Sequence, residues 1–86
     1  MGKINLLTEN DFNAIQAALD DVRPFTLARE FGTVRISVEV QETGKSAKVW
    51  NVPYIIQFRK MDRSIFSIQN FKSVEEMRWY LEQPSI

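Results

Sequence analysis

The sequence predicts an α+β domain of order α-β-β-β-α, in which two helices cover one face of a three-stranded antiparallel sheet. Two observations predict it. Apolar residues recur at helical spacing near both ends of the chain, whereas apolar and polar residues alternate in the middle. A length of 86 residues suits one domain, so residues 1–86 are interpreted as a single unit. Helices on one side of such a sheet leave its other side open.

The first helix is predicted to run from about Glu9 to Asp21. Thr8 is a favourable N-cap, and Asp11 adds a carboxylate to the first turn, where the helix dipole stabilises negative charge. The proline that follows ends the helix near Val22, because the residue before a proline avoids the α conformation. An apolar stripe at helical spacing marks the buried side: Phe12, Ile15, Leu19 and Val22.

Two segments flank this helix. Residues 3–6 before it are interpreted as a short strand. Residues 25–32 after it are interpreted as a loop, with a single helical turn ending at Gly32 as the alternative.

Three strands are predicted between the helices. Residues 34–41 alternate strictly, with apolar side chains at even positions and polar side chains at odd positions. Residues 50–59 alternate in the same way, although Pro53 lacks the N–H group that a central strand donates. Residues 64–70 form the third strand.

Two turns connect these strands, at residues 42–46, where Gly44 supplies the turn conformation, and at residues 60–63. The alternation then assigns side chains to the two faces of the sheet. The face beneath the helices is predicted to carry Val34, Ile36, Trp50, Tyr54 and Phe66. The open face is predicted to carry Pro53, Ile55, Ile65 and Phe71, rimmed by Arg35, Gln57 and Arg59.

The last helix is predicted to begin after Ser73, the first residue of an S-x-x-E capping box that ends at Glu76, and to end at Pro84. Its buried stripe consists of Val74, Met77 and Leu81. A step of about 100° per residue places Trp79 roughly opposite that stripe. Either another segment folds over this tryptophan, or it is an exposed aromatic anchor for a partner.

Composition narrows the classes of function. The chain has no cysteine, which excludes disulfides and thiolate chemistry, and no histidine, which removes the commonest general base and zinc ligand. Glycine-rich nucleotide motifs are missing from the sequence as well. We therefore expect a non-enzymatic protein with no catalytic residue, no cofactor and no metal. The absence of cysteine also favours a cytoplasmic location, and no apolar stretch is long enough to span a membrane.

Charge is distributed unevenly along the chain, although eleven basic and eleven acidic residues cancel overall. Residues 33–72 carry seven basic and three acidic residues, whereas the segments on either side are acidic. A basic open face of the sheet, opposite two acidic helices, is the expected consequence.

These features predict a small protein-binding module, such as a regulator, adaptor or inhibitor of the kind that phage and mobile elements encode. The alternative is nucleic-acid binding through the same basic face. A third interpretation is a homodimer that packs sheet against sheet. The residues expected to contact the partner are Arg35, Lys45, Lys48, Ile55, Gln57, Arg59, Arg63, Ile65 and Trp79.

Overall fold

The fold is known from a computed structural model, which describes residues 7–82. Its first half contains helix α1 (Glu9–Asp21), strand β1 (Phe25–Phe31) and strand β2 (Val34–Glu42). A 3-10 turn (Gly44–Ser46) and the short helix α2 (Ala47–Trp50) follow, then strands β3 (Tyr54–Asp62) and β4 (Ile65–Phe71), and helix α3 (Val74–Glu82). The strands form one antiparallel sheet in the order β1-β2-β3-β4.

The α+β class and the antiparallel sheet are confirmed, but the sheet has four strands rather than three, and the order of elements differs from α-β-β-β-α. The strand predicted at residues 3–6 and the helix end predicted at Pro84 lie outside the described residues.

Helix α1 has the bounds that the sequence predicts, and its capping box is complete. The Thr8 hydroxyl accepts a hydrogen bond from the Asp11 N–H at 3.1 Å, and the Asp11 carboxylate accepts one from the Thr8 N–H at 3.0 Å. At the other end Val22 adopts a left-handed φ of 53°, and the Arg23 N–H bonds to the Ala18 carbonyl, which closes the helix.

Strand β1 is the first departure from the sequence prediction, since residues 25–32 are a strand and a tight turn rather than a loop. Phe25 and Leu27 are half-buried beneath the helices, while the exposed Arg29 and Glu30 interrupt the alternation that would have marked the strand. Gly32 adopts a φ of 60°, which allows the chain to reverse directly into β2.

Strand β3 begins four residues later than predicted. Thr43 holds a longer connection than the predicted turn, because its N–H bonds to the Pro53 carbonyl at 2.9 Å and its hydroxyl bonds to the Val52 carbonyl at 2.8 Å. Trp50 and Val52 therefore precede the strand, and Pro53 lies outside the ladder that it could not have joined.

Strand β4 also differs, because its faces are reversed relative to the prediction. The turn lies at residues 63–64, so Asp62 pairs with Ile65 and Ile56 pairs with Phe71. Phe71 is therefore on the helix side, where its ring lies 5.4 Å from that of Tyr80. Phe66 is on the open face instead. Apolar residues occupy both odd and even positions of this strand, so alternation alone could not decide which face is buried.

Both long helices pack on the same side of the sheet and share one core with it. In α3, Val74 and Met77 are buried as predicted, while Leu81 is partly buried against them. The Ser73 hydroxyl caps the helix by accepting from the Glu76 N–H. The core joins residues from α1, three strands and α3: Phe12, Ile15, Ala18, Ile36, Val38, Val40, Ile56, Phe58, Phe71, Val74 and Met77.

Polar contacts from the first turn of α1 fix its position over the sheet. Asp11 is buried and accepts a hydrogen bond from Arg29 of β1 at 2.7 Å. Glu9 accepts two hydrogen bonds from Arg78 of α3, whose guanidinium also lies 4.3 Å from the centre of the Phe12 ring. The hydrogen bond from Arg78 lowers the pKa of Glu9 below its ordinary value.

Replacing Asp11 with alanine should lower the free energy of unfolding by about 2 kcal/mol, because the Thr8 N–H loses its cap and Arg29 loses its carboxylate. Urea denaturation measures the change. The matched control is Asp20→Ala, which removes an exposed carboxylate that accepts a hydrogen bond from Gln16 of the same helix, and it should change stability by less than about 0.5 kcal/mol. Equal losses in the two variants would contradict this role of Asp11.

Replacing Arg78 with methionine should raise the pKa of Glu9 toward its ordinary value, since the apolar stem remains and the guanidinium is lost. Because the pKa of Glu9 is lowered in the folded state, its ion pair stabilises the fold at pH values above the ordinary pKa of glutamate. That stabilisation is lost as the pH falls through the folded-state pKa. Carboxyl NMR shifts against pH measure the change. Arg23→Met, which removes the partner of Asp21, should leave the pKa of Glu9 unaltered.

Candidate partner-binding surface

The side of the sheet that faces away from α1 and α3 is here named the open face. Strand pairing places Arg35 beside Met61, Ser37 beside Arg59, and Glu39 beside Gln57. Residues directly opposite each other in an antiparallel pair project to the same side. Arg35, Gln57 and Arg59 therefore share the open face, as the sequence predicts, and none of them lies beneath a helix.

The open face is neutral, however, and not basic as expected. Its charged residues in the four strands are two arginines and two glutamates. Arg35 lies 3.7 Å from Glu30, and Arg59 lies 3.8 Å from Glu39. The expectation failed because residues 25–31, predicted to be a loop, form β1, which brings Glu30 into the sheet beside Arg35.

One end of the open face is closed. Ile55, expected to contact a partner, is only 5% exposed, and it lies where the connection between β2 and β3 meets the sheet. Gln57 is half-buried, and its side-chain N–H donates to the side-chain oxygen Oδ1 of Asn70 at 3.3 Å. These two residues therefore pack within the protein and offer little exposed surface to a partner.

The other end of the open face is exposed and apolar. Met61 of β3 pairs with Phe66 of β4, and the neighbouring pair joins Arg59 to Ile68. The exposed fractions are 41% for Met61, 53% for Phe66 and 45% for Ile68. These three residues are here named the apolar end. Sequence reasoning missed them because it placed Met61 in a turn and Phe66 beneath the helices.

The remaining predicted contact residues are spread over other parts of the molecule. Lys45 and Lys48 lie in the connection between β2 and β3, and Arg63 lies in the turn between β3 and β4 with a φ of 59°. Ile65 is 73% exposed but is on the helix side of the sheet, because it pairs with Asp62. The structure does not bring these four residues together on the open face.

Trp79 lies on α3, where it is 66% exposed. It borders a groove of about 560 Å³ beside the end of β4, which Phe71, Glu75, Glu76 and Tyr80 also line. Glu76 accepts a hydrogen bond from the Lys72 N–H, so it also serves the start of the helix. The groove thus combines aromatic rings with carboxylates, the features that suit a cationic side chain.

The two edges of the sheet have different protection. β1 carries the charged pair Arg29 and Glu30, and its Arg29 is bound to α1. β4 reads Ile-Phe-Ser-Ile-Gln-Asn-Phe, with no charge and no proline, and residues 65–69 are all exposed. Charge and proline are the devices that keep an edge strand from pairing with another chain, so only β1 has such protection.

Within residues 7–82, no group of three or more acidic side chains is placed to hold a metal ion. No helix in this part of the chain has the length and apolarity needed to cross a membrane. Comparisons with protein-family models, curated proteins and solved structures find no match to this chain.

Proposed function

We propose that this domain is a non-enzymatic protein-binding module, which binds a partner protein through the apolar end of its open face. The observation that carries this proposal is the side-by-side exposure of Met61, Phe66 and Ile68 on two paired strands. Large apolar side chains exposed next to one another are typical of a protein interface, because binding a partner there removes apolar surface from water.

The surroundings of the apolar end suit the rim of such an interface. Arg59 with Glu39, and Arg35 with Glu30, place opposite charges next to the apolar residues. An apolar centre with a polar, charge-balanced rim is the usual anatomy of a protein–protein contact. The paired strands also hold the apolar side chains in place, which limits the entropy lost on binding. A role as a regulator, adaptor or inhibitor is consistent with this design.

Nucleic-acid binding through the same face is the weaker candidate. Such binding needs arginines directed at phosphates. Its affinity falls as the salt concentration rises, and the fall is steeper when more phosphates are contacted. Both arginines of the open face have a glutamate within 4 Å, which opposes the approach of a phosphate.

Capture from an extract of the native host tests the proposal, with three baits compared: the wild-type chain, Phe66→Ser and Val49→Ser. Val49 is 81% exposed on α2, away from the apolar end, and so provides a matched loss of exposed apolar surface. One protein should be retained in stoichiometric amount by the wild type and Val49→Ser, and should be lost, by about tenfold or more, with Phe66→Ser. Circular dichroism checks that each bait is folded.

Equal retention by Phe66→Ser would overturn the proposed surface. Retention of nuclease-sensitive material alone, with steep loss as salt is raised, would replace the proposal with the nucleic-acid alternative.

A further inference from the structure

Strand β4 presents a row of backbone groups that no strand among residues 7–82 pairs with. It is the last strand in the order β1-β2-β3-β4, so one of its sides has no neighbour within residues 7–82. No residue of β4 has a positive φ, and its first five residues are exposed. A regular, uncharged and partly apolar edge of this kind is a template for another strand.

We propose that a second copy of this chain pairs with β4 in antiparallel fashion about a two-fold axis at Ser67, which joins the two sheets into one. In this register Phe66 is opposite Ile68 of the second copy, and Ile65 is opposite Gln69. The two Ser67 residues face each other. A two-fold axis with the same surface used by both copies is the commonest arrangement of protein dimers.

The lack of charge on β4 favours a second copy as the occupant. Two-fold pairing places a strand against itself, so an edge with charges near its centre would oppose like charges. β4 has none among its seven residues. β1 is less suited to such pairing, because two of its seven residues, Arg29 and Glu30, are charged and Arg29 is held by Asp11.

The same register brings opposite charges together at both ends of the interface. Residue 63 of the second copy falls opposite Phe71, so the turn that carries Arg63 lies beside the groove of α3. That groove presents Glu75 and Trp79, and Arg63 makes no ion pair with another residue among 7–82. A guanidinium beside a carboxylate and an aromatic ring is a favourable pairing, and the two-fold axis produces it twice.

Dimerisation would also enlarge the surface described above. Phe66 and Ile68 of each copy lie on the open face near the axis, so the two apolar ends would form one continuous patch. The dimer is nevertheless independent of the proposed function, because it involves only this chain and is measured on the pure protein.

A disulfide trap tests the register. The chain has no cysteine, so Ser67→Cys introduces a single thiol. Opposed residues in an antiparallel pair have Cα atoms about 4.5–5.5 Å apart, which lies within the range that a disulfide spans. Under mild oxidation Ser67→Cys should form a covalent dimer at least about tenfold faster than Ser37→Cys, which places its thiol on the open face of an interior strand. Faster crosslinking of Ser37→Cys would overturn the proposal in favour of sheet-to-sheet packing.

A charge exchange tests the contact between Arg63 and the groove. Sedimentation of the wild-type chain between about 10 and 500 μM should show a reversible dimer, because the interface is small by the standard of stable complexes. Arg63→Glu and Glu75→Arg should each weaken the dimer by about tenfold, and the double variant should recover most of the loss. Glu76 is left unchanged because it caps α3.

Circular dichroism and thermal melting establish that each variant is folded. A wild-type chain that remains monomeric throughout the concentration range would overturn the dimer, whatever partner the open face binds. A double variant no stronger than the single variants would overturn the register.

Discussion

The structure depends on the burial of α1 and α3 against the same face of the sheet. The fully buried side chains from helices and strands meet in one layer, with Ile15 and Met77 from the helices and Val38, Ile56 and Phe58 from the strands. Adjacent strands lie about 4.8 Å apart, so each further strand widens the surface on which two helices packed about 10 Å apart can lie. The fourth strand, β1, extends this surface, since side chains on its helix side pack against the core.

Polar contacts then orient this layer. The first turn of α1 makes three of them, since Asp11 accepts hydrogen bonds from Thr8 and from Arg29 of β1, while Glu9 accepts from Arg78 of α3. One helical turn thus connects the edge strand β1 to the last helix. Because the helices cover only one side of the sheet, the apolar end of the open face is left to solvent, and its side chains are available for contacts with other molecules.

Much of this architecture can be predicted from sequence where a single physical signal dominates. The bounds of α1 follow from Thr8, an apolar stripe and a following proline, and β2 follows from uninterrupted alternation. The prediction failed where signals conflict. In β1 the charged residues Arg29 and Glu30 hide the alternation, and in β4 apolar residues occupy both faces, so only the pairing of Ile56 with Phe71 decides the register.

The candidate site was predicted in part for the same reasons. Arg35, Gln57 and Arg59 share a face because β2 and β3 alternate clearly. Their electrostatic environment depends on which residues lie beside them in neighbouring strands, and Glu30 could be placed there only once β1 was known. The apolar end was missed because its position depends on where the turn between β3 and β4 lies. A shift of one residue in that turn exchanges the two faces of β4.

The most direct test of one-sided burial compares two phenylalanines in neighbouring strands. Phe58 is 2% exposed on the helix side, and Phe66 is 53% exposed on the open face. At low micromolar concentration, Phe58→Ala should lower the free energy of unfolding by about 3–5 kcal/mol, and Phe66→Ala should lower it by less than about 1 kcal/mol. Equal losses would contradict the account, because they would mean that the open face is also covered.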